Sequence, residues 1–187
     1  MSWPIPKTLR RPPDPAAKGN AMILTCPCGQ TSLTLTGPPI IAVDCCCTSC
    51  RAAAQRLNAP LGPHGETAFV LYRKDRVTLP PPDRMASFRL TPNATTRRIV
   101  TTCCHTPLFL EFRGGHWLSL YAALWRGAAP PPQMRTMVAD LPNPAALPHD
   151  IPNARTQNTR FMLALLRAWV AMGLRSPKIQ TAGEFDV

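Results

Sequence analysis

Residues 45–51 read Cys-Cys-Cys-Thr-Ser-Cys-Arg, a stretch that contains the pattern C-x-C-x-x-C. Residues two apart in a strand point to the same face, so Cys45 and Cys47 can converge on one ion. Cys47 and Cys50 form a C-x-x-C knuckle, whose tight turn brings two sulfur atoms within reach of a metal. Cys46 then faces the other way and is predicted to be a small buried hydrophobic residue. The stretch therefore predicts a site with three thiolate ligands.

The number of ligands in this site bears on its function. Structural zinc is normally bound by four protein ligands, whereas catalytic zinc keeps one position for water or substrate. Soft, thiolate-rich zinc also suits an incoming thiol. We therefore predict that Cys45, Cys47 and Cys50 form a reactive centre. The alternative is that a nearby cysteine supplies a fourth ligand and makes the site purely structural.

The remaining cysteines suggest a second metal site. Cys26 and Cys28 form another C-x-C pair, which supplies two ligands and needs distant partners. The candidates are Cys103 and Cys104, with His105 as a further one. A site of this kind would join chain segments more than seventy residues apart and would stabilise the fold, because it closes a long loop.

The composition favours metal binding over disulfide bonds. The 187 residues fit one domain with extensions, and no run of eighteen apolar residues could span a membrane. Prolines follow Arg10 and Arg11 where a signal peptide needs an apolar run, so we expect a cytoplasmic protein. In a reducing cytoplasm, eight cysteines in three tight groups indicate metal ligands rather than disulfide bonds, and we expect at least four of them to bind metal.

Short strand-like runs predict a mainly β domain from residue 22 onward. Met22 is a second candidate start, because organised sequence begins there. The 23 prolines indicate many turns. The predicted segments are a flexible basic, Pro-rich tail (1–21), a zinc-binding β domain (22–126), a Pro-rich loop (127–152), a C-terminal amphipathic helix (153–175) and a tail (176–187).

The C-terminal helix is predicted from apolar residues at helical spacing, with Asn158 as its N-cap. We expect this apolar face to pack on the domain; the alternative is a helix that binds a membrane surface or a partner. The residues of the predicted face are Met162, Leu165, Leu166, Trp169, Val170 and Gly173.

The ordered set of cysteine motifs resembles the glutathione-dependent formaldehyde-activating enzyme family, which also includes centromere protein V-like proteins. The resemblance covers residues 22–112, and three motifs in order are far more specific than one C-x-x-C. It implies an all-β, tent-like fold, a structural zinc on the first and last groups, and a substrate-side zinc on the middle three cysteines. The matching residues are Cys26, Cys28, Gly29, Cys45, Cys47, Cys50, Arg51, Arg98, Cys104, His105, Thr106, Pro107 and Leu108.

The last motif departs from the family's C-x-x-C-G, which would place a cysteine at Thr101 and a glycine at His105. Threonine is a poor zinc ligand. Cys103 can replace it only if the backbone turns, because neighbours in a strand face opposite ways. His105 is the other candidate for the fourth ligand, and a degenerate site is the third interpretation.

The resemblance implies a carbon–sulfur lyase, in which glutathione and formaldehyde combine to S-hydroxymethylglutathione. Two zinc ions are the expected cofactors and a small thiol or thiol adduct the expected partner, with glutathione as the candidate co-substrate. Arg51 is predicted to hold a glutathione carboxylate. His64, in a Gly/Pro-rich loop, is a weak candidate for an acid or base.

Two other classes of function compete with the lyase. The net charge of +11 fits a non-enzymatic zinc module that binds nucleic acid or a protein partner. Nucleic acid is the less favoured partner, because the basic residues are spread along the chain rather than concentrated. A structural zinc domain whose function lies in the C-terminal helix is the third class.

Overall fold

The computed structural model describes residues 21–185, which form two β-sheets and a helix near the C-terminal end. The predicted mainly β class with an added C-terminal helix is therefore confirmed. The predicted flexible tail lies outside the described residues, apart from Ala21. No helix in the described part of the chain has the length and apolar character needed to cross a membrane.

A small sheet has the order β1-β2-β5, and a seven-stranded sheet has the order β10-β3-β4-β9-β8-β7-β6. Neighbouring strands are antiparallel, apart from the parallel pair β10 and β3. The strands are Met22–Thr25 (β1), Ser32–Leu35 (β2), Ile41–Cys45 (β3), Thr67–Arg73 (β4), Val77–Thr78 (β5), Met85–Phe88 (β6), Thr96–Thr101 (β7), Pro107–Phe112 (β8), Trp117–Tyr121 (β9) and Arg135–Thr136 (β10).

The two faces of the large sheet have different roles. Paired residues of adjacent strands share a face, and successive residues alternate between faces. Val70 on β4 and its partner Leu120 on β9 pack toward the small sheet, in a core that includes Leu33. Their neighbours Phe69 and Tyr121 lie on the opposite face, which the two α-helices partly cover. This second face carries the three-cysteine site.

The first α-helix, Thr48–Arg56 (α1), begins directly after Cys47 and includes Cys50. Its N-cap is Cys47, whose side chain accepts a hydrogen bond from the amide of Cys50. A capping side chain satisfies one of the free amides in the first turn. The metal-binding pattern is thus also the start of the helix.

The second α-helix, Thr159–Ala171 (α2), lies inside the predicted residues 153–175 and begins after the predicted N-cap, Asn158. The packing face predicted for this helix is wrong. Of that set, Leu165 alone is buried, and Met162, Leu166, Trp169 and Val170 are exposed. The face that packs on the sheet consists of Phe161, Leu165, Ala168 and Met172. The helix is apolar around most of its circumference, so periodicity could not indicate which side would be buried.

The segments flanking α2 are more ordered than the sequence predicts. The Pro-rich residues 127–152 contain β10, whose Thr136 pairs with Cys45. Residues 176–185, predicted as part of a tail, run beside β6, where the amide of Ser87 donates to the carbonyl of Gly183. Both segments therefore add backbone hydrogen bonds to the edges of the large sheet.

Candidate metal centres

The sulfur atoms of Cys45, Cys47 and Cys50 lie within 4.8 Å of one another. Strand β3 ends at Cys45, and helix α1 follows after Cys47. The strand-to-helix turn therefore brings the sulfurs together, whereas the sequence predicts strand alternation as the cause. Cys46 is fully buried in a separate apolar cluster with Val138, as the sequence predicts.

The three thiols share hydrogen bonds that favour one thiolate. Hydrogen bonds from the Cys45 and Cys50 thiols, together with the Cys50 amide, lower the pKa of Cys47 to about 3. The same contact with Cys47 raises the pKa of Cys45 to about 11. Cys47 is therefore the thiol of the three that loses its proton most readily, and a divalent cation would favour the thiolate form of the other two.

A cavity of about 500 Å³ opens next to these sulfurs and is lined by all three cysteines. Its floor is one face of the large sheet, because Leu71 pairs with Ser119, Ser119 with Leu110, and Leu110 with Arg98. Aromatic side chains form much of the remaining wall, among them Phe69, Phe112, Trp117 and Phe161. Three clustered thiols that line a cavity leave room for an external ligand, which a closed four-ligand site does not.

Arg98 is a charged residue in the wall of this cavity, and its side chain is 0 % exposed. Its Nη2 donates to the carbonyl and the hydroxyl of Ser49, which lies between two of the cysteines, and its Nη1 donates to Thr96 Oγ1. Its Nε has no hydrogen-bond partner among the described residues. Arg98 is among the residues that carry the family resemblance, but the resemblance implies no role for it.

The second candidate site contains Cys26, Cys28, Cys103 and Cys104, whose sulfur atoms also lie within 4.8 Å of one another. The sulfur atoms are separated by 3.4 Å for Cys26–Cys28, 3.7 Å for Cys26–Cys103, 3.4 Å for Cys28–Cys103 and 3.8 Å for Cys103–Cys104. Tetrahedral zinc with bonds of about 2.3 Å to sulfur places its ligands roughly 3.8 Å apart. The four thiols therefore fit a closed zinc site.

The backbone turns after β7, as the use of Cys103 requires. The amide of His105 donates to the carbonyl of Thr101, and His105 has a left-handed φ of 54°. The Thr101 hydroxyl, where the family motif would have a cysteine, lies 3.3 Å from the sulfur of Cys104. His105 packs on Phe185 and does not belong to the cysteine cluster.

Two other predicted site residues, Arg51 and His64, do not line the three-cysteine cavity. Arg51 is not part of its wall; its guanidinium donates to the backbone carbonyl of Asp140, a residue that does line the cavity. His64 is also absent from the wall, and its amide donates to the carboxylate of Glu66. His116 Nε2 lies 2.8 Å from the carbonyl oxygen of Leu165, and its ring stacks on Trp169.

A basic groove lies at another part of the surface, beside the segment that follows α2. Its wall contains Lys74, Arg89, Arg97, Arg113 and Lys178, with Glu111 as its carboxylate. The Glu111 carboxylate forms ion pairs with both Lys74 and Arg97. Within the described residues, Arg113 and Lys178 form no ion pair, so the groove carries excess positive charge.

No family model matches this chain, and no curated protein matches it. A crystal structure of a Rhodobacter sphaeroides protein is a distant structural match, with 13% sequence identity and a TM-score of 0.43. That match covers 71% of this chain and 99% of the other.

Proposed function

We propose that this protein is a zinc-dependent carbon–sulfur lyase that acts on the adduct of a small thiol with an aldehyde, such as S-hydroxymethylglutathione. The observation that supports this proposal is the difference between the two cysteine clusters. Four thiols form a compact set, whereas three thiols line a cavity of about 500 Å³. One cluster therefore suits a structural ion and the other a reactive one.

In the proposed reaction, a carbon–sulfur bond forms between the thiol sulfur and the carbonyl carbon of the aldehyde. The proton lost by the thiol ends on the carbonyl oxygen, and the reverse reaction cleaves the adduct. A bound zinc ion would favour the thiolate form of the substrate. The chain itself supplies three sulfur ligands and a cavity whose wall combines aromatic and aliphatic side chains with a few polar ones.

The residues around the cluster fix the position of its sulfurs. The Cys50 amide donates to Cys47 Sγ at 3.2 Å, and the Thr48 amide donates to the Asp140 carboxylate at 3.0 Å. The first bond lies within the first turn of α1, and the second ties this turn to the segment after β10. Metal ligands held in this way need little rearrangement when a substrate binds.

The proposal is tested with cobalt-substituted protein, whose ligand-field spectrum reports the ligands of the metal. Two metal ions per chain are expected, and addition of glutathione or 2-mercaptoethanol should change the spectrum of one of them. The lyase is then assayed as consumption of formaldehyde by glutathione and as the reverse cleavage. A spectrum that no thiol changes would contradict the proposal.

A non-enzymatic zinc module remains the second candidate, and the basic groove is the observation that favours it. Its excess charge would attract a polyanion such as a nucleic acid. Binding of a fluorescent oligonucleotide, measured at several salt concentrations, tests this candidate. If the protein binds nucleic acid through this groove, the double variant Arg113→Glu, Lys178→Glu should lose most of the oligonucleotide binding. Arg160→Glu, on helix α2, should retain it.

A further inference from the structure

Arg98 has no carboxylate partner within the described residues, although its side chain is completely buried. Its three hydrogen bonds go to neutral oxygens of Thr96 and Ser49. A buried charge without a counter-charge is costly, so buried charged groups in proteins are normally paired. The other buried cations follow this rule: Lys74 pairs with Glu111, and Arg135 pairs with Asp150.

The register of the sheet places Arg98 on the face that carries the cluster. Arg98 pairs with Leu110, which pairs with Ser119, and all three belong to the wall of the cavity. Its guanidinium is bonded to Ser49, which lies between Cys47 and Cys50 in the first turn of α1. The Asp140 carboxylate also lines this cavity, but it accepts hydrogen bonds from the amide and hydroxyl of Thr48 and forms no ion pair with Arg98. The remaining negative charges available to Arg98 are those of the cysteine sulfurs.

We propose that Arg98 is the buried counter-cation of the three-cysteine site and that it makes the site select an anionic ligand, a thiolate, over a neutral one. This inference rests on the proposed function. Three thiolates, one divalent ion and Arg98 carry charges of −3, +2 and +1, which sum to zero. An incoming thiolate then brings the site to −1, whereas without Arg98 it would reach −2. Arg98 acts through its charge and needs no contact with substrate, so it is a positioning residue.

The test compares two small ligands of the cobalt-substituted protein: 2-mercaptoethanol, which binds as an anion with release of a proton to the buffer, and imidazole, which binds neutral. Arg98→Met should lower the ratio of thiol affinity to imidazole affinity about tenfold, because a nearby opposite charge is lost. A general disturbance of the fold would weaken both ligands together and leave the ratio unchanged. An unchanged ratio in Arg98→Met overturns the proposal.

Two further variants control for folding and for overall charge. Arg98→Lys keeps the positive charge, so its ratio of thiol affinity to imidazole affinity should stay near that of the unmodified protein. A tenfold lower ratio in Arg98→Lys overturns the proposal, even if Arg98→Met does not fold. Arg113→Met removes an exposed charge elsewhere and should leave the ratio unchanged. An equal loss in Arg113→Met would assign the effect to net charge and overturn the role of Arg98.

The failure of this inference is distinguishable from the failure of the proposed function. If no thiol changes the cobalt spectrum of the unmodified protein, the proposed function fails. The role of Arg98 as counter-cation is then tested by the affinity of the protein for cobalt alone. Arg98→Met should lower this affinity about tenfold, because the three thiolates lose their counter-cation. Unchanged cobalt affinity in that case overturns the inference.

Discussion

The sulfur atoms of Cys28 and Cys103 lie 3.4 Å apart, although 75 residues separate them in the chain. This contact joins the turn after β1 to the turn after β7, so it connects the small sheet to the large one. A metal ion bound there would close a long loop of the unfolded chain, and loops of this length give the largest entropic effect.

Replacement of Cys103 by serine should therefore remove one of two metal ions and destabilise the fold. The loss should be several kcal/mol in the free energy of unfolding, because a structural zinc contributes directly to folding. Metal analysis and chemical denaturation measure both effects. His105→Ala should retain two metal ions; loss of an ion in His105→Ala alone would show that His105 is the ligand.

Replacement of Cys47 by alanine should abolish the response of the cobalt spectrum to thiols and lower lyase activity at least a hundredfold, because the site loses a ligand and the cap of α1. Cys46→Ala is the matched control, since Cys46 is buried outside the cluster. Cys46→Ala should keep two metal ions and the thiol response. Equal loss in both variants would point to folding rather than to metal binding.

Arg51→Ala distinguishes binding of the thiol group from binding of the rest of glutathione. If Arg51 holds a carboxylate of glutathione, this variant should bind glutathione about three- to tenfold more weakly, the range expected for an exposed charge-assisted contact. Binding of 2-mercaptoethanol, which lacks a carboxylate, should not change. Cobalt titrations with both thiols measure the difference, and equal loss of the two would contradict a specific role.

Acidification should weaken the docking of helix α2 through His116. Burial lowers the pKa of this histidine, and the positive charges of Lys74 and Arg73 lower it further, while the hydrogen bond to Leu165 opposes the shift. A histidine with a lowered pKa contributes full stability above its ordinary pKa of about 6.5 and loses it as the pH falls through its lower folded value. The fold should therefore lose stability through His116 as the pH falls from 7.5 to 5.5.

Denaturation of the unmodified protein and of His116→Phe, followed by tryptophan fluorescence, measures this effect. Both proteins lose metal affinity in acid, so the difference between them isolates the histidine. The stability difference between them should shrink at low pH. His149→Asn, at an exposed position, should keep the pH dependence of the unmodified protein. A pH dependence that survives in His116→Phe would contradict this assignment.

The local features of this protein follow from short stretches of its sequence. Alternating residues predict most of the strands, and the spacing of Cys45, Cys47 and Cys50 predicts a three-thiol cluster without any knowledge of distant residues. The helix cap at Asn158 is equally local, because a capping side chain reaches an amide only three residues away. Such features depend on backbone geometry over a few residues.

Tertiary structure decided the features that depend on distant segments. The turn after β7 brings Cys103 rather than His105 to Cys26 and Cys28. Contacts with the sheet selected Phe161 and Leu165 as the buried side of α2. The register of β7, β8 and β9 placed a buried arginine beside the thiols. Each of these three features depends on which surfaces come into contact in the folded chain. The spacing of residues within one short segment does not determine those contacts.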